Sequence, residues 1–208
     1  VTFPNKGRLS VNGDKAFADS LSQIPSVLAM FENDKGIYPK TTGTVILGED
    51  VGGTLATGVT QNIPILASST NQGIAVARPE VDSLVRRIPL LLRTPDGFVP
   101  AFGTEVLKIL AGADTYVIKT NDNGLEEIRV RGLPAVPVDS LGRKWISFVN
   151  TPHTDLLEMD VKDKFVFIGF TAKGIMPQLS TPIGYLEPHK IQAALAESIL
   201  IENSPYIP

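Results

Sequence analysis

The apolar residues of this chain come in short runs, interrupted by Gly, Pro or charged side chains. The longest are VLAMF (27–31), IPLLL (88–92) and FVFIGF (165–170). With 18 glycines and 16 prolines among 208 residues, turns are frequent. Runs of this length make β-strands, and they fall far short of the ~20 apolar residues that a membrane helix needs. Such a chain folds into many short strands joined by turns, with helices only where helical spacing is evident. A hydrophobic fraction of 43% excludes intrinsic disorder, and 208 residues allow one substantial core.

Three segments have helical spacing. In 14–24, Asp14 is placed as an N-cap, with Phe17, Leu21 and Ile24 on one face. In 101–111, Phe102, Val106, Ile109 and Leu110 form the apolar face and Gly112 is the stop. In 188–202, Ile191, Leu195, Ile199 and Glu202 share a face and Pro188 suits the first turn. Strands are predicted at 27–30, 44–48, 63–68, 86–93, 115–119, 143–149 and 164–170. TVILG and KFVFIGF are continuously apolar, as strands covered on both faces are. Pro64 and Pro89 push their strands toward edges or bulges. Because helices and strands do not alternate, the expected fold class is α/β with a mixed β-sheet. About seven short strands and three main helices are expected to pack together. The stretch 48–62 reads as a long loop. PEVDSLVRRI (79–88) and PVDSLGRKWI (137–146) share VDSL before basic residues, either as two independent Asp-Ser turns or as a duplication.

The chemistry is constrained mainly by exclusion. The formal charge of −3 and the lack of a Lys/Arg run argue against a nucleic-acid binder. With no cysteine, disulfides, thiolate zinc sites and thiol nucleophiles are impossible, which fits an oxidising compartment. The nucleophile-elbow, P-loop and dinucleotide-binding glycine motifs are absent, so no catalytic residue, cofactor or metal is assigned. His153 and His189 are the only imidazoles; with Glu187 they could join a metal site, or stand as two surface histidines. Glu126-Glu127, Glu49-Asp50 and Asp160/Asp163 read as solvated turn and strand acids.

Arg86 and Arg87 open a predicted strand, so one is expected to face inward and to need a carboxylate or a bound anion, with Asp82 the candidate partner. The turn 169–174 follows the apolar strand. In open α/β sheets ligands collect beyond the carboxyl ends of central strands, which would place Thr171 and Lys173 there.

The ordered set of motifs resembles a known family. KFVFIGFTAKGIMPQLSTPIGYLEPHKIQAALAESIL (164–200) looks like the end of the second-type CHASE domain, the cyclases/histidine kinases associated sensory extracellular domain. The residues that carry the likeness are Ile168-Gly169, Ala172-Lys173-Gly174, Thr181-Pro182 and Gln192-Ala193. Upstream, 137–149, 72–92, AFGTEVLKILAG and FPNKGRLSVNGDKAFADSL are similar to the family in the right order. Three positions depart from it: Pro177 stands where an Asp is usual, Glu187-Pro188-His189 replaces Pro-Gly-Val, and Ser83 replaces a Gly ahead of Val85-Arg86-Arg87.

The resemblance implies a single extracytoplasmic (periplasmic or extracellular) sensory domain spanning 1–208, with the family's N-terminal strand–helix–strand segment missing. Starting at Val1, the sequence is expected to be a processed or excised piece of a transmembrane receptor, with SPYIP leading toward a membrane helix. The effector would be a cytoplasmic adenylate cyclase, histidine kinase or diguanylate enzyme. The partners would be a small molecule or envelope signal and the flanking membrane helices, with a homodimer among the permitted assemblies and no nucleic acid. From the residues themselves, by the placement of the 169–174 turn after an apolar strand, the start of the third helix and the arginine turn, the ligand-binding residues are expected to be Thr171, Lys173, His189, Arg86, Arg87 and Asp82. A metal-assisted hydrolase and a partner-binding module without a small ligand are the alternatives.

Overall fold

The computed structural model describes residues 11–50, 52–148, 161–172 and 177–201. The fold is mixed α/β, with small mixed sheets and four helices among the described residues. The chain divides into two compact units. One comprises the residues up to Val76 together with Pro89–Lys144; the other comprises Ala77–Ile88 and the residues from Trp145 on.

In the first unit, α1 (Val11–Leu21) leads into β1 (Val27–Ile37). The helix begins before Asp14, which therefore lies in its first turn rather than at the cap, and Ile24 falls beyond its end. β1 pairs in parallel with β5 (Asn71–Ile74), from Val27↔Asn71 to Met30↔Ile74, and in antiparallel fashion with β4 (Val59–Thr60). A second sheet joins β3 (Thr54–Leu55) in parallel to β7 (Leu91–Thr94), and β7 to β8 (Gly97–Pro100). A third has the order β11-β10-β9-β2, from β11 (Ala135–Pro137), β10 (Gly124–Val130), β9 (Thr115–Asn121) and β2 (Gly43–Leu47). Each of these sheets has one parallel pair, as expected of a mixed fold.

The predicted strand at 63–68 is instead a helical turn, α2 (Pro64–Ala67). Proline at its first position costs no hydrogen bond, because the first N–H groups of a helix have no intrahelical acceptor. The stretch 48–62 contains β3 and β4 and is not one long loop. The predicted strand 86–93 is split at Leu90 into β6 (Arg87–Pro89) and β7, and β12 (Arg143–Trp145) is shorter than expected. β6 and β12 each straddle a point where the chain passes from one unit to the other.

α3 (Phe102–Leu110) packs on β1 and β5. Gly73 permits this contact, since a Cβ there would sit 2.6 Å from the Phe102 Cα. The helix lies where the spacing places it, but it is rotated. Its predicted apolar face is only half-buried, with Leu110 43% exposed, whereas Gly103, Thr104, Glu105, Leu107 and Lys108 are buried. Two charges can face inward because they neutralise each other. Lys108 Nζ lies 2.8 Å from Glu105 Oε1, with the side chains 10% and 3% exposed. Tyr116 donates its hydroxyl to Glu105 Oε2 at 2.8 Å, and Lys108 donates to Thr42 Oγ1 at 3.2 Å. Burial, reinforced by the Glu105 charge, raises the Tyr116 pKa well above the usual phenolic range. Around the cluster, Ile74, Leu91, Leu92, Leu107, Ile118 and Ile128 form the core.

In the second unit, β13 (Leu179–Thr181) and β14 (Gly184–Leu186) form a hairpin that feeds α4 (Pro188–Leu200). Here the predicted stripe holds: Ile191, Leu195 and Ile199 are buried, and Glu202 lies outside the described residues. Ser198 Oγ also donates to Ala194 O and accepts the Ser147 N–H, tying the helix to the segment after β12. The predicted strand 164–170 enters none of the sheets formed by the described residues, and Ile168 is 70% exposed. A strand needs a ladder as well as apolar side chains.

The charge pair on α3 gives a test. Lys108→Ala leaves Glu105 buried without its counter-charge and should cost roughly 3–5 kcal/mol in urea denaturation. The double change Glu105→Leu with Lys108→Met should cost much less, because no buried charge remains.

Candidate functional site

Of the sequence-predicted residues, the second unit holds Asp82, Arg86 and Arg87 in one cluster and His189, with Thr171 nearby, in another. The first is the turn before β6. Arg86 grips Asp82 with both nitrogens, at 2.9 Å to Oδ1 and 2.5 Å to Oδ2. Asp82 Oδ1 also accepts the Leu84 N–H at 3.2 Å. These bonds, that of Arg86 foremost, hold the Asp82 carboxyl down to about 2, and Asp82 in turn raises the Arg86 pKa.

Arg87 Nε donates to Glu80 Oε1 at 2.7 Å, and its guanidinium lies 5.0 Å from the centre of the Trp145 ring. Glu80 Oε2 also stands 3.7 Å from Arg86. Neither arginine is simply inward or outward, since both are about a quarter exposed. Glu80 was not identified from sequence. Its signal is a carboxylate placed seven residues before an arginine, across a turn that doubles the chain back.

The VDSL echo resolves into two separate turns. In the first, Glu80 N–H bonds Leu84 O, Ser83 N–H bonds Glu80 O, and Ser83 has φ 67°. In the second, in the other unit, Asp139 N–H bonds Arg143 O, Gly142 N–H bonds Asp139 O, and Gly142 has φ 77°. The backbone pattern thus matches Glu80 with Asp139, two residues out of step with the letters. The same turn chemistry appears twice, out of step with the sequence echo.

The second cluster lies where α4 begins. Val85 N–H bonds Ser180 O, so the arginine turn and the hairpin ahead of α4 adjoin. Glu187 precedes the helix, accepting from Gln178 Nε2 at 3.0 Å and pairing with Lys190 Nζ at 3.0 Å. Burial opposes its ionisation, but the bonds from Gln178 and Lys190 prevail and the carboxyl falls to about 2. His189 is half-buried, and its ring lies directly against Gly169, where a Cβ would collide with it. Burial lowers the His189 pKa; Glu187 opposes this and Lys190 adds to it. Thr171 is exposed two residues beyond Gly169, while Lys173 and His153 lie outside the described residues. Because 164–170 is no central strand, the carboxyl-end rule does not explain this cluster; the packing of His189 on Gly169 does. Among the described residues no group of three or more His, Cys, Asp or Glu could hold a metal ion, and no helix is long and apolar enough to cross a membrane.

The family model of the CHASE2 domain matches residues 1–207, and the chain belongs to that family. CHASE2 domains are sensory extracellular domains of signalling receptors, a sensor family rather than a catalytic one. No curated protein and no solved structure matches the chain.

Two predictions follow from these clusters. A left-handed backbone costs an L-residue ~1–2 kcal/mol, so Ser83→Gly should stabilise the chain by about 0.5–1 kcal/mol in thermal or urea unfolding. Gly142→Ser should do the reverse and by more, because its Cβ would come 2.9 Å from Leu125 Cδ2.

The second prediction concerns pH. The folded pKa of His189 lies below the ordinary 6.5, so its contribution to stability is present above that pH and is lost as pH falls below it. Glu187 contributes above its ordinary 4.5 and loses that contribution as pH falls toward about 2. His189→Gln should flatten the melting-temperature decline between about pH 7 and pH 5, and Glu187→Gln only the decline at lower pH.

Proposed function

We propose that this chain is the ligand-sensing extracytoplasmic domain of a bacterial transmembrane receptor that reports to a cytoplasmic adenylate cyclase, histidine kinase or diguanylate enzyme. Family membership supports the sensory role. The observation that carries the choice of site is the seat of Gly169 on the His189 ring, which joins the segment leading to Thr171 to the first turn of α4. A ligand held by Thr171, Lys173 and His189, with Arg86, Arg87 and Asp82 at the adjoining turn, favours one placement of that segment.

Signalling is then a population shift. The ligand displaces the balance between two arrangements by its difference in affinity for them. α4 suits the output role, because the buried stripe Ile191, Leu195 and Ile199 makes it move as one body with whatever it packs on. The chain acts here as one sensory domain whose ends are continuous with membrane helices.

The test is a thermal-shift screen of envelope metabolites on the wild-type chain, since a molecule that binds the native state raises the melting temperature. The expected result is a ligand whose shift is lost or strongly reduced in Thr171→Val, Lys173→Ala and Arg86→Ala. If all three variants keep the shift and the signalling of the full receptor, the site lies elsewhere.

A further inference from the structure

We propose that β2 is the contact through which two copies of this chain associate, antiparallel and edge to edge, about a two-fold axis at Val45. The proposal concerns only the first unit and involves none of the residues of the ligand reading.

The two edges of the sheet β11-β10-β9-β2 differ in kind. β11 has three residues, with Pro134 just before it and Pro137 closing it. Proline has no N–H to donate, so that edge is closed to another strand. β2 pairs with β9 along all five of its residues without a break in register, and among the described residues no strand pairs with its other side. Its sequence, GTVIL, contains no charge and no proline. Edge strands ordinarily carry a lysine, a proline or a bulge that discourages pairing; β2 has none of these.

Burial agrees. Thr44 and Ile46 lie beside Tyr116 and Ile118 of β9. Those two are fully buried, while Thr44 and Ile46 remain half-buried, so the cover of this sheet stops one strand short. On the opposite face Val45 and Leu47 are 47% and 54% exposed.

The sequence of β2 selects a second copy as the occupant. Antiparallel pairing centred on Val45 sets Val45 against Val45, Thr44 against Ile46 and Gly43 against Leu47. The flanks are complementary as well. Lys40 precedes the strand, Glu49 follows it, and both are exposed. Antiparallel pairing centred on Val45 sets position 40 of one copy against position 50 of the other, so Lys40 comes beside the acidic step Glu49-Asp50 at both ends, whereas in-register parallel pairing would set like charges together. The product is one continuous sheet across two identical units, a closed isologous assembly.

The absence of cysteine allows a direct test. Residues facing each other across a two-fold antiparallel pair stand ~4.5–5.5 Å apart at Cα, within disulfide reach. Val45→Cys should therefore form a covalent dimer under mild oxidation, while Lys119→Cys, exposed on the neighbouring strand, should not. In sedimentation the wild-type chain should dimerise, and Val45→Lys should weaken that dimer about tenfold or more with unchanged circular dichroism. If Val45→Lys perturbs the fold, the cysteine pair decides alone. A wild-type chain that stays monomeric, a dimer that Val45→Lys leaves intact, or a Val45→Cys chain that does not cross-link overturns the proposal.

Discussion

A lysine and a glutamate three residues apart on α3, both hidden from water, set how the first unit is assembled. Removing either charge from solvent is unfavourable by several kcal/mol, and only close pairing with full hydrogen bonding offsets it. Glu105 has both oxygens engaged, by Lys108 and by Tyr116. Lys108 reaches Thr42 as well, immediately ahead of β2. α3 is thereby locked by polar bonds to the sheet that holds Tyr116, while Gly73 admits it to the sheet that holds β5. One helix fixes the relation of two sheets, and a rotation that hid its more apolar side would leave these bonds unmade.

That helix shows where sequence reasoning reaches and where it stops. Its limits were legible within one residue, because propensity and the Gly112 stop are local. Its buried face was not, because the acceptors for its charges lie on other elements. α4 was legible in its start at Pro188 and in its buried face, since Ile191, Leu195 and Ile199 bury no charge and need no distant partner. β10 escaped notice for another local reason. The register slips between Leu125 and Glu127, so its inward residues Leu125, Ile128 and Val130 do not alternate evenly. The segment 164–170 was misjudged in the opposite sense, because continuous apolarity describes side chains and says nothing of a ladder.

The candidate site was legible in parts. The Asp82–Arg86 pair follows from four-residue spacing across a turn. Glu80 as the link between Arg86 and Arg87 does not, since it depends on how far the turn folds back. Nor does the packing of His189 on Gly169, which brings together residues twenty apart. Ser83, where the resemblance leads one to expect a glycine, gains a physical meaning, because the turn places it at positive φ.

The division of the chain between its units bears on its synthesis. Residues 77–88 interrupt the first unit in sequence yet belong with the last third of the chain. Val85 and Ile88 end fully buried, and Val85 donates to a carbonyl in β13, nearly a hundred residues on. At ~5–20 residues per second, these side chains leave the ribosome on the order of several seconds before the elements that complete their unit. During that interval Val85 and Ile88 lack the elements that bury them in the finished unit. The local ion pairs of Glu80, Asp82, Arg86 and Arg87 are close enough in sequence to form meanwhile, so the turn can be shaped before its cover arrives.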